Sequence, residues 1–424
     1  MSSYQELTAF CPDDTPVMSP AAFKAKYQFI MKLGSALHAF GIQAFRLEAH
    51  LIKVSGSLGL DGSFLMTPTS LTFVFASPDK QNEHTHVLRV QPGGIDLGKL
   101  ANVNKVVEDL LEERITVVQA HIRLNEIEAS KGYYNSVVSL LAYGVSSGAF
   151  AMLIGTDWLN IFWSTFLGIV CFGFVYWSQF SKRMPEVLEP LVAMVNGFIA
   201  VGIYSLEPGL NVPLAVLSSI IIFIPGLSIT LGLSELAAKE LMSGTARVMN
   251  AIMLLFKLYF GAMLGVAIGS LIWGPTPLPE TAAMPWWAVW LGVFLLSLTL
   301  GAVFNVRKQD IGWGVLSGLL AYVATKAGIN ILGDALGYFI GAFAVGIYGN
   351  LYAIWRKAPA TIVLLQGIVV LVPGSRTYMG LDSLIGGHTV AGMTNLGSNT
   401  FLIFMSLVAG LIFANIVISP RQSL

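Results

Sequence analysis

Apolar positions along the chain follow two regimes. Up to about residue 131 they recur at short, changing periods, and beyond Tyr133 they run in blocks of about twenty. In the first regime Phe29, Leu33, Leu37, Phe40, Ala44, Leu47 and Leu51 repeat at helical spacing. They predict an amphipathic helix from Phe23 to about Ser55, or two helices hinged near Gly41. The period then switches. Residues 63–66, 70–76 and 84–91 read as short strands, the middle one alternating through Leu71, Phe73 and Phe75, with a turn over 77–82. Helical spacing returns over Ile95 to Glu113 and Ile115 to Ser130, so residues 1–131 are expected to form an N-terminal α+β soluble domain.

The second regime holds ten apolar spans, near 133–154, 158–178, 187–205, 210–230, 248–273, 286–304, 311–330, 335–355, 359–378 and 396–418. Composition agrees: 55% of the 424 residues are hydrophobic, 11% are charged and mean hydropathy is +0.70. A soluble domain carries about a quarter charged residues, so the pattern is that of a polytopic α-helical membrane protein whose natural surroundings are a lipid bilayer. Net charge is zero, which argues against nucleic acid as a partner. The two cysteines, Cys11 and Cys171, are too few and too distant for a disulfide framework or a Cys-based metal cluster. The first twenty residues, with Asp13, Asp14 and prolines at 12, 16 and 20, lack a signal peptide's apolar core, and the N-terminus is expected to stay in the cytoplasm. Lys182, Arg183, Lys239, Arg247, Arg307, Lys308, Arg356, Lys357 and Arg421 then fall on the inner side, and only Lys326 and Arg376 on the outer. This positive-inside asymmetry predicts a multi-pass plasma (inner) membrane protein with both termini cytoplasmic.

Two stretches echo one another. Pro225, Gly226, Gly232, Leu233, Leu236 and Gly244 fall without a gap on Pro373, Gly374, Gly380, Leu381, Leu384 and Gly392, an offset of 148 residues. Proline removes a backbone donor and clashes with the preceding turn, so both stretches read as broken helices. Broken helices at membrane depth leave backbone groups that only protein, water or a ligand satisfies. A matched pair, one per half, points to a transport site. The same offset maps the first span on the sixth, the third on the eighth and the fifth on the tenth. The expected domains are therefore 1–131, a five-helix repeat over 132–275 and a second over 276–424. An odd number of crossings per repeat makes the two copies inverted, the geometry that alternating access uses.

With the motifs placed, the chain resembles the threonine/serine exporter family. The resemblance rests on Gly41 to Glu48 (GIQAFRLE), Gly59-Leu60, Thr67-Pro68-Thr69-Ser70, and the segments Pro225-Gly226 with Ser243-Gly244 and Pro373-Gly374 with Ala391-Gly392. It covers nearly the whole chain. In some bacteria the two halves resemble separate subunits linked to succinate export, which are fused here. The resemblance implies a secondary active exporter of small polar metabolites, threonine or serine first and a dicarboxylate such as succinate second, driven by the membrane potential or a proton gradient.

A zwitterionic amino acid needs an anion site and a cation site. Ser228, Thr230, Ser234 and Glu235 surround the first break, and Ser375, Arg376, Thr377, Tyr378 and Asp382 the second. Half-helix N-termini and Arg376 suit the carboxylate; Glu235 or Asp382 suits the ammonium group. With Pro225, Gly226, Pro373 and Gly374 they form the candidate substrate site, the bland alternative being that the polar side chains merely cap helices. Lys257, inside the fifth span, is a candidate for ion coupling or a snorkelling lysine. Asn196, Asn250 and Asn330 line the path or bond helix to helix. Arg46 and Glu48 are not at helical pair spacing, and each is expected to have a tertiary partner docking the soluble domain on the membrane part.

Other motifs weigh less. Glu83-His84-Thr85-His86 puts both imidazoles on one strand face, but with no third ligand nearby it reads as an exposed strand end. Gly93 to Lys99 (GGIDLGK) matches a phosphate loop up to the lysine, yet Leu100 stands where Ser or Thr binds magnesium, so it reads as a turn into a helix. No triad spacing or cofactor motif stands out, and the expectation is a transporter, not an enzyme, with no cofactor or metal. A membrane-tethered hydrolase built on the N-terminal domain and a channel are the rival readings. The oligomeric state stays open, a homo-oligomer included.

Overall fold

A computed structural model describes residues 19–76, 83–91, 93–277, 284–386 and 396–419. The first helix, α1 (Pro20–Ala39), starts where Ser19 accepts a hydrogen bond from Ala22 N and Pro20 presets the first turn. It stops at Gly41, whose φ of +85° breaks the run before α2 (Ala44–Ser57), so the two-helix option holds. Three antiparallel strands follow, β1 (Gly62–Met66), β2 (Ser70–Ala76) and β3 (Glu83–Arg89), in the order β1-β2-β3. β3 ends at Arg89 and not at Gln91 because its partner β2 begins at Ser70, directly opposite Arg89. Alternation puts Leu71, Phe73 and Phe75 on the face that packs on α1 and α2. On β3, His84 and His86 stack against Tyr27 of α1, His86 at 5.2 Å between ring centres, which accounts for this histidine pair without a metal. Helices α3 (Leu97–Leu111) and α4 (Val117–Ala129) complete the segment, capped by Asp96 and by a Thr116/Gln119 capping box.

Twelve helices follow: α5 (Ser136–Ile154), α6 (Trp158–Ser178), α7 (Met184–Leu206), α8 (Val212–Ser219), α9 (Gly226–Ala237), α10 (Leu241–Trp273), α11 (Trp286–Val303), α12 (Ile311–Leu332), α13 (Asp334–Arg356), α14 (Thr361–Leu371), α15 (Gly374–Gly386) and α16 (Leu396–Val417). Among the described residues eight are long and apolar enough to cross a membrane, and the two bent pairs α8/α9 and α14/α15 would bring the number to ten. The first pair bends by 56° between Ser219 and Ile221, just ahead of Pro225-Gly226, and the second by 41° between Leu371 and Gly374, at its Pro-Gly dipeptide. Ile224 and Val372, each preceding a proline, take extended ψ values of 120° and 129°, since proline excludes the helical region for its predecessor.

Small residues set the packing. A Cβ on Gly261 or Gly265 of α10 would stand 2.2 or 1.9 Å from the carbonyl oxygen of Pro190 or Met194 on α7. In the second half, Gly410 of α16 lies equally close to α13, with 2.6 Å from its would-be Cβ to Phe339 O. Apolar lipid offers helices no hydrophobic gain from meeting, so close backbone approach through glycine supplies the contact. α10 starts two turns earlier than the apolar run, at Leu241, because Ser243 and Gly244 pack on α9: a Cβ on Gly244 would stand 2.8 Å from Gly232 O.

The N-terminal segment does not keep a core to itself. Phe29, Leu33, Leu51 and Phe73 belong to one buried cluster with Leu231 of α9, Val306, Tyr352 of α13 and Ile362 to Leu365 of α14. Within that segment His50 is buried with Nε2 unpartnered, and burial pushes its pKa down to about 4. The folded protein therefore keeps this ring neutral while the unfolded chain protonates it below its ordinary value of 6.5. Stability should fall as pH drops from 6.5 toward 4, by about 3 kcal/mol at the bottom of that window for a depression of this size. Thermal unfolding in detergent across that range should show the loss, and His50→Leu should flatten it; an unchanged slope in the variant would assign the pH dependence elsewhere.

Candidate functional site

The two breaks meet. A Cβ on Gly226 would stand 2.3 Å from Val372 Cγ1 and 3.2 Å from Gly374 Cα, and one on Gly374 would stand 3.0 Å from Ile224 Cγ2. Around this contact lies a cavity of about 610 Å³. Its walls are apolar, built from Phe150, Leu153, Leu296, Leu300 and the isoleucines before the first break. Polar groups enter at few points: Ser228, Ser375, Arg376, Tyr322, Thr325, Lys326 and Tyr338. Such a combination is what small-molecule sites use, apolar area for binding and a few polar groups for orientation.

Seven of the candidate residues, Pro225, Gly226, Ser228, Pro373, Gly374, Ser375 and Arg376, line this cavity together. Thr230 and Thr377 do not. Their hydroxyls instead bond back within the first turn of each helix, donating to Gly226 O at 3.1 Å and Pro373 O at 2.8 Å. The side chain of Asp382 lies outside the described residues. Arg376 forms a two-pronged ion pair with Asp334 at the start of α13, at 2.6 and 3.2 Å, and Asn399 donates to the same carboxylate at 3.1 Å. Asp334 had no signal in the sequence beyond its place at a helix N-terminus, where a carboxylate is favoured.

Glu235, expected to hold an ammonium group, is fully buried away from the cavity. Arg247 grips it from two nitrogens at 3.0 and 3.1 Å, Ser243 Oγ donates at 3.0 Å, and Ala44 N at the first turn of α2 donates at 3.1 Å. One carboxylate thus joins α9 to α10 and pins the N-terminal segment on both, since a helix N-terminus welcomes an anion. Arg46 and Glu48, the residues expected to dock this segment, both lie on α2. Arg46 lies over the Phe45 ring at 5.8 Å, where burial lowers its pKa; burial, then the charge of Glu240 at the start of α10, raises that of Glu48. Neither residue lines the cavity, nor does His84 or His86.

Lys257 is exposed on α10 beside Met253, Phe256 and Phe260, on the outer face of the bundle and not in the cavity. Helical phase decides this: Leu255, Leu258 and Ala262 take the inward face. Asn196 bonds helix to helix, donating to Leu167 O and Ser219 Oγ, while Asn250 and Asn330 are exposed. Asn305, missed in the sequence, closes α11 in a left-handed conformation (φ +53°) that asparagine tolerates. Its amide accepts from Tyr133 N at 2.7 Å and donates to Asp96 Oδ2 at 2.9 Å.

The fold and site define a multi-pass membrane protein with a central cavity between two interrupted helices. Residues 28–269 match the family described as "Putative threonine/serine exporter", and residues 290–417 that described as "Threonine/Serine exporter, ThrE". The chain belongs to the threonine/serine exporter family. It is similar to pheromone-regulated membrane protein 10 of Candida albicans, 29% identical over 393 residues (88% of this chain, 35% of that protein). The protein of the same name in Eremothecium gossypii is 26% identical over 422 residues (93% and 56%). The chain thus spans between about a third and somewhat over half the length of these relatives. No solved structure matches it.

Removing one partner of a buried, hydrogen-bonded ion pair strands the other charge, at about 3–5 kcal/mol. Glu235→Ala should therefore lower the thermal midpoint in detergent sharply, and adding Arg247→Met should recover part of the loss. A Glu235→Ala protein as stable as its parent would remove this pin from the account of domain docking.

Proposed function

We propose that the protein is a secondary exporter that moves small carboxylate-bearing metabolites by alternating access, with substrate held between the two Pro-Gly breaks. The observation that carries this reading is the meeting of those breaks at a cavity with Arg376 on its wall. Half-helices start at Gly226 and Gly374, and the positive ends of their dipoles, with the guanidinium, suit a carboxylate. Arg376 is held by Asp334 in this structure, so an arriving carboxylate competes with an internal one for the same fork. Exchange of the ion pair for the substrate frees α15 from α13, which links binding to movement of one half against the other.

The order of helices supports two inverted repeats. α5 to α10 and α11 to α16 each place a bent pair fourth, and α7/α10 and α13/α16 pack alike through glycine. Tyr134, just before α5, bonds to Val306 O, just after α11, so the first repeat starts at the end where the first helix of the second stops. The positive loops support an N-terminal segment and an end of α16 on the cytoplasmic side, from which efflux would then run. The family name favours threonine and serine as cargo. One observation favours a dicarboxylate: among the described lining residues Arg376 and Lys326 are cationic and none is a carboxylate, Asp334 meeting Arg376 from outside the lining.

Counterflow in proteoliposomes with labelled threonine, serine and succinate separates the two. Arg376→Ala should reduce transport by more than about tenfold, the least that losing a bidentate charged partner entails. Pro225→Ala and Pro373→Ala should each slow exchange by healing a break. Full transport in both proline variants would remove the site, and threonine exchange undisturbed by a large excess of succinate would remove the dicarboxylate reading.

A further inference from the structure

One wall residue of the cavity does not come from a membrane-spanning helix. Ile95 belongs to the N-terminal segment, in the stretch between β3 and α3, and it shares its end of the cavity with Val303 and Phe304 at the close of α11. Gly93 and Gly94, just before it, are exposed, whereas Ile95 is half-buried. The chain therefore has solvent on one side of this residue and the cavity on the other.

Two sets of contacts hold it there. Toward its own domain, Gly93 lies so close to the end of α1 that a Cβ would stand 2.2 Å from Ala39 O. Gly41, at φ +85°, has its would-be Cβ 3.1 Å from Gly94 O. Toward the bundle, Asp96 Oδ2 accepts from Asn305 Nδ2 at 2.9 Å and Leu97 N donates to Phe304 O at 3.0 Å. Gly98 completes the fit, since a Cβ there would stand 2.4 Å from Asn305 O. The first set makes 93–96 move with the domain; the second includes two hydrogen bonds that can be exchanged for water at modest net cost.

We propose that Ile95 is the gate at the domain-side end of the cavity, carried by the N-terminal domain. Releasing Asp96 from Asn305 and Leu97 from Phe304 withdraws the stretch and opens the cavity to the side on which the domain lies. A domain appended to a transporter thereby becomes part of its access cycle. The inference rests on the transport reading of the cavity, but its test needs no substrate.

The probe is a membrane-impermeant maleimide applied from the domain side to the full chain in vesicles, with Ser228→Cys as reporter in a Cys11→Ser, Cys171→Ala background. Ile95→Gly should raise the labelling rate several-fold, Ile95→Val should leave it near the parent rate, and Ile95→Trp should depress it. An Asp96→Cys/Asn305→Cys pair, oxidised to a cross-link, should block labelling until reductant is added. Equal labelling rates across the Ile95 series, or full labelling in the cross-linked protein, would overturn the gate. Failure of every tested solute to exchange, with labelling still governed by Ile95, would remove the transport reading and leave the gate standing.

Discussion

Backbone touches backbone where the two interrupted helices cross, and the rest of the membrane part is arranged to permit that contact. A Cβ on Gly226 would collide with Val372 Cγ1 and crowd Gly374 Cα, and one on Gly374 would press on Ile224 Cγ2, so the contact is built for residues without side chains. The prolines beside them remove donors that would otherwise go unpaired, and the threonines one turn on keep their own hydroxyls satisfied by bonding back to carbonyls of the first turn. An otherwise costly defect in an apolar bundle becomes a stable feature. It also leaves half-helix starts and a single guanidinium beside a cavity of apolar walls.

The second constraint is how the N-terminal segment is held. Its helices and sheet share buried surface with α9, α13 and α14, and two polar clasps fix the register. Glu235 reaches from α9 to the first turn of α2, and Asn305 reaches from the end of α11 to Asp96 and the linker at Tyr133. Both clasps attach next to the cavity, on α9 following a break and on α11 in the cavity wall. A carboxylate that is fully buried yet meets two guanidinium nitrogens, a hydroxyl and a helix N-terminus has its lone pairs occupied, which is the condition for a buried charge to be tolerated.

Charge placement within the cavity is spare. Arg376 and Lys326 lie on the same wall, and Arg376 is already engaged by Asp334. In the proposed transport cycle, small polar cargo meets a site whose own ion pair must open, so recognition and conformational change would draw on one interaction. Lys257, by contrast, follows the lipid-facing stripe of α10 and takes no part in the cavity.

Periodicity and composition by themselves determined the membrane class, the strands and helices of the first regime, and the positions of both breaks, because each follows from local rules: period, proline chemistry and the length needed to cross lipid. The echo between Pro225-Gly226 and Pro373-Gly374 even showed which two points to compare. Only the tertiary structure decided what those residues meet. Glu235 and Asp382 looked alike as acids near breaks, yet Glu235 turned out to serve docking, since its role depends on Arg247 and on Ala44, 191 positions away. Asn305, Asp334 and Ile95 carry no local pattern at all. Their partners come from other elements, and contacts between distant segments leave no period in the chain that could announce them.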